Sequence, residues 1–265
     1  MEERKTIIVT GGTRGIGFAL VCFFLENGCN VVYSGTSASS IKKAAKELKK
    51  LGIQKNSIGV VSDITKYKDS KNLIEKCERE FGGLDIFINN AGINQKKELY
   101  PDLKPRDIQE VIEVNTLGTM YGTLAAIKYF NHHGGGMVYV MEGFGSDDRM
   151  ADRSLVYGTS KRAVRYFGRA LAKEARNSRI KIGILSPGMV ATDFLKKSLK
   201  DSPPKEAESH KKIFNILADE AVDVAEFLGR KILANTRNDA RFYWLTTVKS
   251  MGRFISAPFR KRELF

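Results

Sequence analysis

Residues 6–28 read TIIVTGGTRGIGFALVCFFLENG. An unbroken apolar run, a glycine-rich turn and a segment of helical period follow one another directly. A strand that is apolar throughout, with no polar alternation, has both faces covered, which points to a parallel sheet between helical layers. The pattern repeats through NVVYSG, SIKKAAKELKKLG, SIGVVSD, YKDSKNLIEKCEREFG and LDIFINN, giving βαβαβαβ. With right-handed crossovers this predicts an α/β fold, a Rossmann-type doubly wound parallel sheet flanked by helices on both faces. Further along, the periodicity predicts a long helix near 103–130, a strand near 136–142, a helix near 153–177 and the strand IKIGILS. Pro105 suits a first helical turn, and Gly28, Gly52 and Gly82 suit helix ends.

Nothing Pro-rich or low in complexity divides the 265 residues, so a single domain over 1–265 is expected. The apolar run starts so early that no signal or transit peptide is expected, and no stretch has about 18 apolar residues in succession. Cys22, Cys29 and Cys77 have no metal or redox spacing and read as reduced, packing thiols. A cytoplasmic protein is expected. The net charge of +14 would attract anionic substrates, acidic membranes or nucleic acid. Most lysines nevertheless fall at the spacing of solvated helix faces, and no nucleic-acid-binding pattern is present, so no nucleic-acid partner is expected. Residues 240–265 form a basic aromatic C-terminal extension in which Phe242, Tyr243, Trp244 and Phe254 interleave with Arg and Lys. They are expected to wall an apolar ligand or to touch a membrane peripherally. The polar stretch 195–212, LKKSLKDSPPKEAESHKK, is read as a mobile substrate lid, against the plainer reading of a solvated connection.

The turn after the first strand places Gly11, Gly15 and Gly17, with Thr13, Arg14 and Ile16 between them, where backbone must approach a pyrophosphate at a helix N-terminus. An acid at the tip of the second strand would hold a ribose 2′-hydroxyl and repel a 2′-phosphate. The tip here is YSGTSASS, without an acid. Gly35, Thr36 and Ser37 leave room and hydroxyls, and Arg14 is either a phosphate partner or an ordinary exposed side chain. NADP(H) is favoured over NAD(H).

TGGTRGIG at 10–17, NNAG at 89–92, YGTSK at 157–161 and SPG at 186–188 occur in an order and spacing that resembles the short-chain dehydrogenase/reductase family over essentially the whole chain. The resemblance implies that Asp63, with Ile64, meets the adenine and that Asn90, Ala91 and Gly92 line the cofactor. It also implies that Pro187, Gly188, Val190 and Thr192 border the nicotinamide, and that Asn115 holds a proton-relaying water. On its own Asn115 reads equally well as a buried, backbone-satisfied amide. Family members pair through the long helices flanking the fifth strand, so a homo-oligomer, dimer or tetramer, is expected. DIFINNAG, NTLG, MEGFGSD, SPGMVATDF, FNILADEAVDVAEFL and FYWLTTVKSMGRF are also similar to chlorophyll(ide) b reductases, a branch that reduces a formyl group on a tetrapyrrole.

Carbonyl reduction needs a hydride on one side and a proton on the other. Tyr157 is the candidate acid, and Lys161, four residues on along a helix, shares its face and is expected to lower the phenol from about 10. The family's usual serine, thirteen residues before the tyrosine, is missing: that position is Phe144 between Gly143 and Gly145. Ser146 is the nearest hydroxyl and has two readings, a catalytic donor or a turn former, with Glu142 and Asp147 as polar neighbours. The expected activity is NADPH-dependent reduction of a bulky, apolar small-molecule carbonyl, with a chlorophyll b-like formyl group as one case. Reduction of another keto, quinone or lipid metabolite, or non-catalytic NADP(H) sensing, are the alternatives.

Overall fold

The computed structural model describes residues 4–259 and 262–265, so Arg260 and Lys261 of the expected extension fall outside it. The strands are β1 (Thr6–Val9), β2 (Asn30–Gly35), β3 (Ser57–Val61), β4 (Ile86–Asn89), β5 (Gly136–Met141), β6 (Ile180–Ser186) and β7 (Ala240–Tyr243). They form one parallel sheet in the order β3-β2-β1-β4-β5-β6-β7. The doubly wound sheet read from the apolar runs is therefore what the chain builds. The winding reverses between β1 and β4, and a crevice opens at the carboxyl ends of the strands there.

One face of the sheet is covered by α1 (Gly15–Glu26), α2 (Ala38–Lys50) and α9 (Ala221–Leu233), where Leu20, Phe24, Leu48 and Leu228 pack on β1 and β2. The other carries α3 (Tyr67–Phe81), α5 (Gly118–His132) and α6 (Leu155–Glu174), with Leu73, Phe130 and Ala172 against Ile8, Phe87 and Val138. The adjacent residues Ile7 and Ile8 lie in opposite layers, as a strand's alternation requires, and this is why the run has no polar positions.

Three expectations need correction. The helix foreseen near 103–130 is α4 (Pro105–Ile112) followed by a π-helical turn, Glu113–Leu117, and then α5; the extra residue of a π-turn disturbs the 3.6-residue period only slightly. The stretch 195–212 is helical, comprising α7 (Asp193–Lys200) and most of α8 (Pro204–Leu217), because Pro204 sits in a first turn, where its missing N–H costs nothing. The extension begins with a sheet strand, β7, and then α10 (Thr247–Ser256), so several of its aromatics turn inward. Phe242 meets Tyr139 at 6.3 Å between ring centroids, and Trp244 meets Phe227 at 5.3 Å.

Candidate active site

The glycine-rich turn is stapled to the end of β4. Thr10 Oγ1 accepts from the N–H groups of Asn90 (3.0 Å) and Ala91 (3.1 Å), and Asn90 Nδ2 donates to the Thr10 carbonyl at 2.8 Å. Gly11 has φ +64° and Gly15 φ +56°, and a Cβ on Gly11 would lie 2.8 Å from Ala91 Cα. Only glycine tolerates both the left-handed backbone and that approach. Helix α1 then starts with no side-chain cap and no acid in its first turn, so its free N–H groups and dipole suit a pyrophosphate. Thr13 and Ile16 belong to this turn; Arg14, at the cap position, is exposed. Across the crevice, Thr192 Cγ2 would lie 3.3 Å from a Gly15 Cβ, which brings the 186–192 loop opposite the turn. There Gly188 has φ +69°, Val190 is buried and bridges to Asp219, and Pro187 leads into the bend. These features together fit a dinucleotide.

At the β2 tip no acid is present, Gly35 is buried against Thr13 and Thr36 is exposed. Ser37 is partly spent: its hydroxyl caps α2 by accepting from Ser40 N at 3.2 Å. Asp63 Oδ1 accepts from Thr65 Oγ1 at 2.7 Å, and these hydrogen bonds, more than the nearby Lys66, hold its carboxyl below the usual range despite the opposing pull of burial. Ile64 packs on Gly118, at the start of α5.

Asn115 lies inside the π-turn and is completely buried. Its Oδ1 accepts from Ile93 N (2.8 Å), while Nδ2 donates to the Ile93 carbonyl (2.9 Å) and to Ser160 Oγ (2.9 Å). Its carbonyl accepts from Thr119 Oγ1 at 2.8 Å. The side chain thus braces the 92–94 loop against α6, and Gly92 is needed beside it: a Cβ there would come within 3.1 Å of Asn115 Oδ1 and 3.4 Å of Lys161 Nζ.

Helix α6 presents Tyr157 and Lys161 toward this crevice. Its third-residue N–H, that of Tyr157, is capped by Gln95 Oε1 at 2.9 Å, a cap 62 residues away in sequence. Gln95 was not among the sequence candidates, and no local pattern could have shown it. Lys161 Nζ donates to the Met141 carbonyl at 3.1 Å and lies 5.9 Å from the Tyr157 ring centroid. At that separation burial prevails: it pushes the Tyr157 phenol up, contrary to the lowering expected from Lys161, and pulls Lys161 down to about 8.

The place opposite the phenol belongs to Gly143, not to Phe144. A Cβ on Gly143 would lie 2.5 Å from Tyr157 Oη. Counting by spacing missed this because the chain turns at once: Ser146 N donates to the Gly143 carbonyl (3.1 Å), and Gly145 has φ +87°. Ser146 is buried, its carbonyl accepting from Arg162 Nη1 at 2.9 Å and its side chain lying near the Glu142 carboxylate.

Helices α7 and α8 stand over the crevice mouth. The Phe194 ring meets Tyr157 at 5.9 Å between centroids, and Glu206 pairs with Arg153 at 3.2 Å. Lys97, partly buried beneath and donating to Ser154 Oγ at 2.9 Å, is lowered by burial while Glu206 opposes the shift. Among the described residues no group of His, Cys, Asp and Glu could hold a metal ion.

A family model described as short chain dehydrogenase matches residues 5–203. "Chlorophyll(ide) b reductase NOL, chloroplastic" of Oryza sativa subsp. japonica is 35% identical over 97% of this chain and 76% of its own length. "Probable chlorophyll(ide) b reductase NYC1, chloroplastic" of the same plant is 29% identical, and the chain spans 54% of it. Among solved structures, that of levodione reductase superposes with a TM-score of 0.83 at 21% identity, over 93% of this chain and 98% of that one, which shows the fold.

Proposed function

The chain belongs to the short-chain dehydrogenase/reductase family, and from that premise we propose that it is a single-domain carbonyl reductase using NADPH on a bulky, largely apolar substrate. The formyl group of a chlorophyll b-like tetrapyrrole is the leading case, supported by the likeness to chlorophyll(ide) b reductases over nearly the whole chain. The observation that carries the reading is the half-buried Tyr157 phenol with the buried Lys161 ammonium on the same helical face, beside the glycine turn. A bound dinucleotide supplies the hydride there. Tyr157 is the proton donor to the developing alkoxide: a phenol raised by burial still holds its proton at neutral pH, the form that reduction requires. Lys161, at about 8, remains mostly ammonium at neutral pH and stabilises the phenolate left behind. Asn115 keeps the 92–94 loop and α6 in register, and the pair α7–α8 is the lid over residues 195–212, latched by Arg153–Glu206. The test is substrate-dependent oxidation of NADPH with a formyl tetrapyrrole, the product gaining two hydrogens by mass. Gly143 opposite Tyr157 favours one second reading, a non-catalytic NADP(H) sensor, which the same assay separates.

NADPH is preferred because no acid stands at the β2 tip, where Thr36 is exposed and Arg14 lies in the neighbouring turn. Thr36→Asp is expected to weaken NADPH binding about 50-fold and leave NADH within about threefold. Fluorescence titration of both dinucleotides reads this, and an equal loss for both would overturn the preference.

Self-association is proposed through the π-turn and α5, where Leu117 and Leu124 respectively are exposed. Arg162, Arg165, Arg169 and Lys173 of α6, with Arg176 just beyond its end, line an open groove of about 710 Å³, and two such faces would repel. The three cysteines are free thiols, which suits a reducing, cytoplasm-like setting. No helix among the described residues is long and apolar enough to cross a membrane. Peripheral contact is supported by α10 and the residues after it, where Val248, Met251, Ile255 and Phe259 recur at helical spacing and are 60% to 88% exposed. Ile255→Glu with Phe259→Glu is expected to lower partitioning onto anionic vesicles about tenfold in a sedimentation assay. Unchanged partitioning would remove the membrane reading.

A further inference from the structure

At the carboxyl end of β5 the chain buries a carboxylate that neither the sheet nor the glycine turn requires. Glu142 is 3% exposed. Its N–H continues the ladder to the Leu185 carbonyl at 2.9 Å, and its Oε2 has no hydrogen-bond partner among the described residues. A buried carboxylate is unfavourable unless charge or hydrogen bonds face it.

The groups that face it come from four elements. Helix α6 supplies Lys161 and Arg165, whose Nε lies 3.9 Å from Oε2. Strand β6 supplies the Ser186 hydroxyl, and the loop after β5 supplies the Ser146 hydroxyl together with Asp147, a like charge already paired with Arg149. Strand β7 adds Arg241, itself paired with Asp239. Tyr157, Lys161 and Arg165 recur every four residues on one helical face, so Lys161 stands between the phenol and the guanidinium. The ammonium donates to the carbonyl of Met141, the residue just before Glu142.

We propose that Glu142 is a positioning residue, a buried counter-ion held by Arg165, Ser146 and Ser186 that keeps the Lys161 ammonium charged and turned to the strand end beside Tyr157. This rests on the reading of Tyr157 and Lys161 as the proton-delivering pair. It gives the 142–147 loop a purpose despite having no hydroxyl opposite the phenol: Ser146 points inward to a carboxylate instead of outward to a carbonyl. The charge shifts agree. Burial pulls Lys161 down to about 8 and Glu142 is the group that resists the fall; burial also pushes Glu142 up, with Ser186, Arg165 and Ser146 opposing.

The experiment is a pH titration of the Lys161 signal in protein carrying lysine labelled at Cε, assigned with Lys161→Arg. Removing the negative charge in Glu142→Gln lowers the Lys161 midpoint by about one pH unit, and Glu142→Asp, which keeps the charge, holds it within about 0.3. Because Lys161 acts as the ammonium, activity is lost as pH rises through its midpoint. In the Gln variant the alkaline limb of NADPH-driven reduction of a benzaldehyde probe therefore moves to lower pH by the same amount. An unshifted Lys161 in Glu142→Gln, with only the melting temperature lowered, overturns the proposal. A Lys161 midpoint that shifts in Glu142→Gln, together with a wild-type protein that turns over no carbonyl, sustains the counter-ion role and overturns the reductase reading instead.

Discussion

Tyr157→Phe is expected to abolish carbonyl reduction while leaving the fold and the dinucleotide affinity in place. The substitution removes one hydroxyl and nothing else. That hydroxyl makes no hydrogen bond to the described residues, whereas the backbone N–H that ties Tyr157 to Gln95 is untouched. Stability therefore changes little, and the phenylalanine ring still meets Phe194 of α7. Loss of a general acid costs about 10²- to 10⁴-fold in rate, and the upper part of that range is expected here because Gly143 offers no second donor opposite the phenol. Single-turnover measurement of the hydride step, alongside titration of NADPH binding, separates the two effects. Turnover retained within tenfold would mean that another group delivers the proton, and the assignment of Tyr157 would fail.

Asp219→Ala is expected to be the most destabilising single change outside the hydrophobic core. The Asp219 carboxylate is 5% exposed and gathers three donors from the C-terminal part of the chain. Arg253 Nη2 donates to Oδ1 (2.9 Å) while its Nη1 lies 2.8 Å from Oδ2, Arg262 Nη2 donates to Oδ1 (2.9 Å) and Trp244 Nε1 to Oδ2 (2.6 Å). The same residue's backbone holds the 189–191 loop, its N–H donating to the Met189 carbonyl (3.1 Å) and its carbonyl accepting from Ala191 N (2.8 Å). Removing one partner leaves two guanidiniums without their carboxylate, a loss of about 3–5 kcal/mol for a buried pair. For a chain of this size that is a fall of roughly 10 °C in melting temperature. Burial alone would raise the Asp219 carboxyl, but the hydrogen bonds from Arg253, Trp244 and Arg262 outweigh it and hold the group below the usual range. A depressed carboxyl contributes stability that is present above the unfolded value, about 3.9, and is lost as pH falls through the folded one. The wild type should therefore lose this part of its stability below about pH 4, and Asp219→Ala should lack that loss. Urea denaturation across pH checks both, and equal midpoints at neutral pH would reduce the hub to an incidental cluster.

Much of the molecule is legible in its residues because the relevant physics is local. Apolar runs at Thr6–Val9 and Asn30–Gly35 declare strands buried on two faces, Gly11 and Gly15 declare a left-handed turn that glycine adopts without steric cost, and Tyr157 with Lys161 declares a shared helical face. The stretch 195–212 shows a lid or a solvated connection in its charge and proline pair, and only Pro204 in a first helical turn reveals that it is helical. Trp244 and Phe242 are expected at a ligand or membrane edge; pairing of β7 with β6 instead leaves them partly buried against the core, which depends on an edge of the sheet elsewhere in the fold.

The sequence by itself determined the sheet, the dinucleotide turn and the tyrosine–lysine face, because each is set by spacings within a few residues. Tertiary structure alone decided what surrounds them: Gln95 capping α6, Gly143 rather than Phe144 opposite the phenol, and Glu142 buried beside Arg165. These contacts join residues brought together by strand order and burial, and burial also shifts the pKa of Tyr157 upward and that of Lys161 downward. Desolvation is a property of the enclosing volume, which no spacing along the chain encodes.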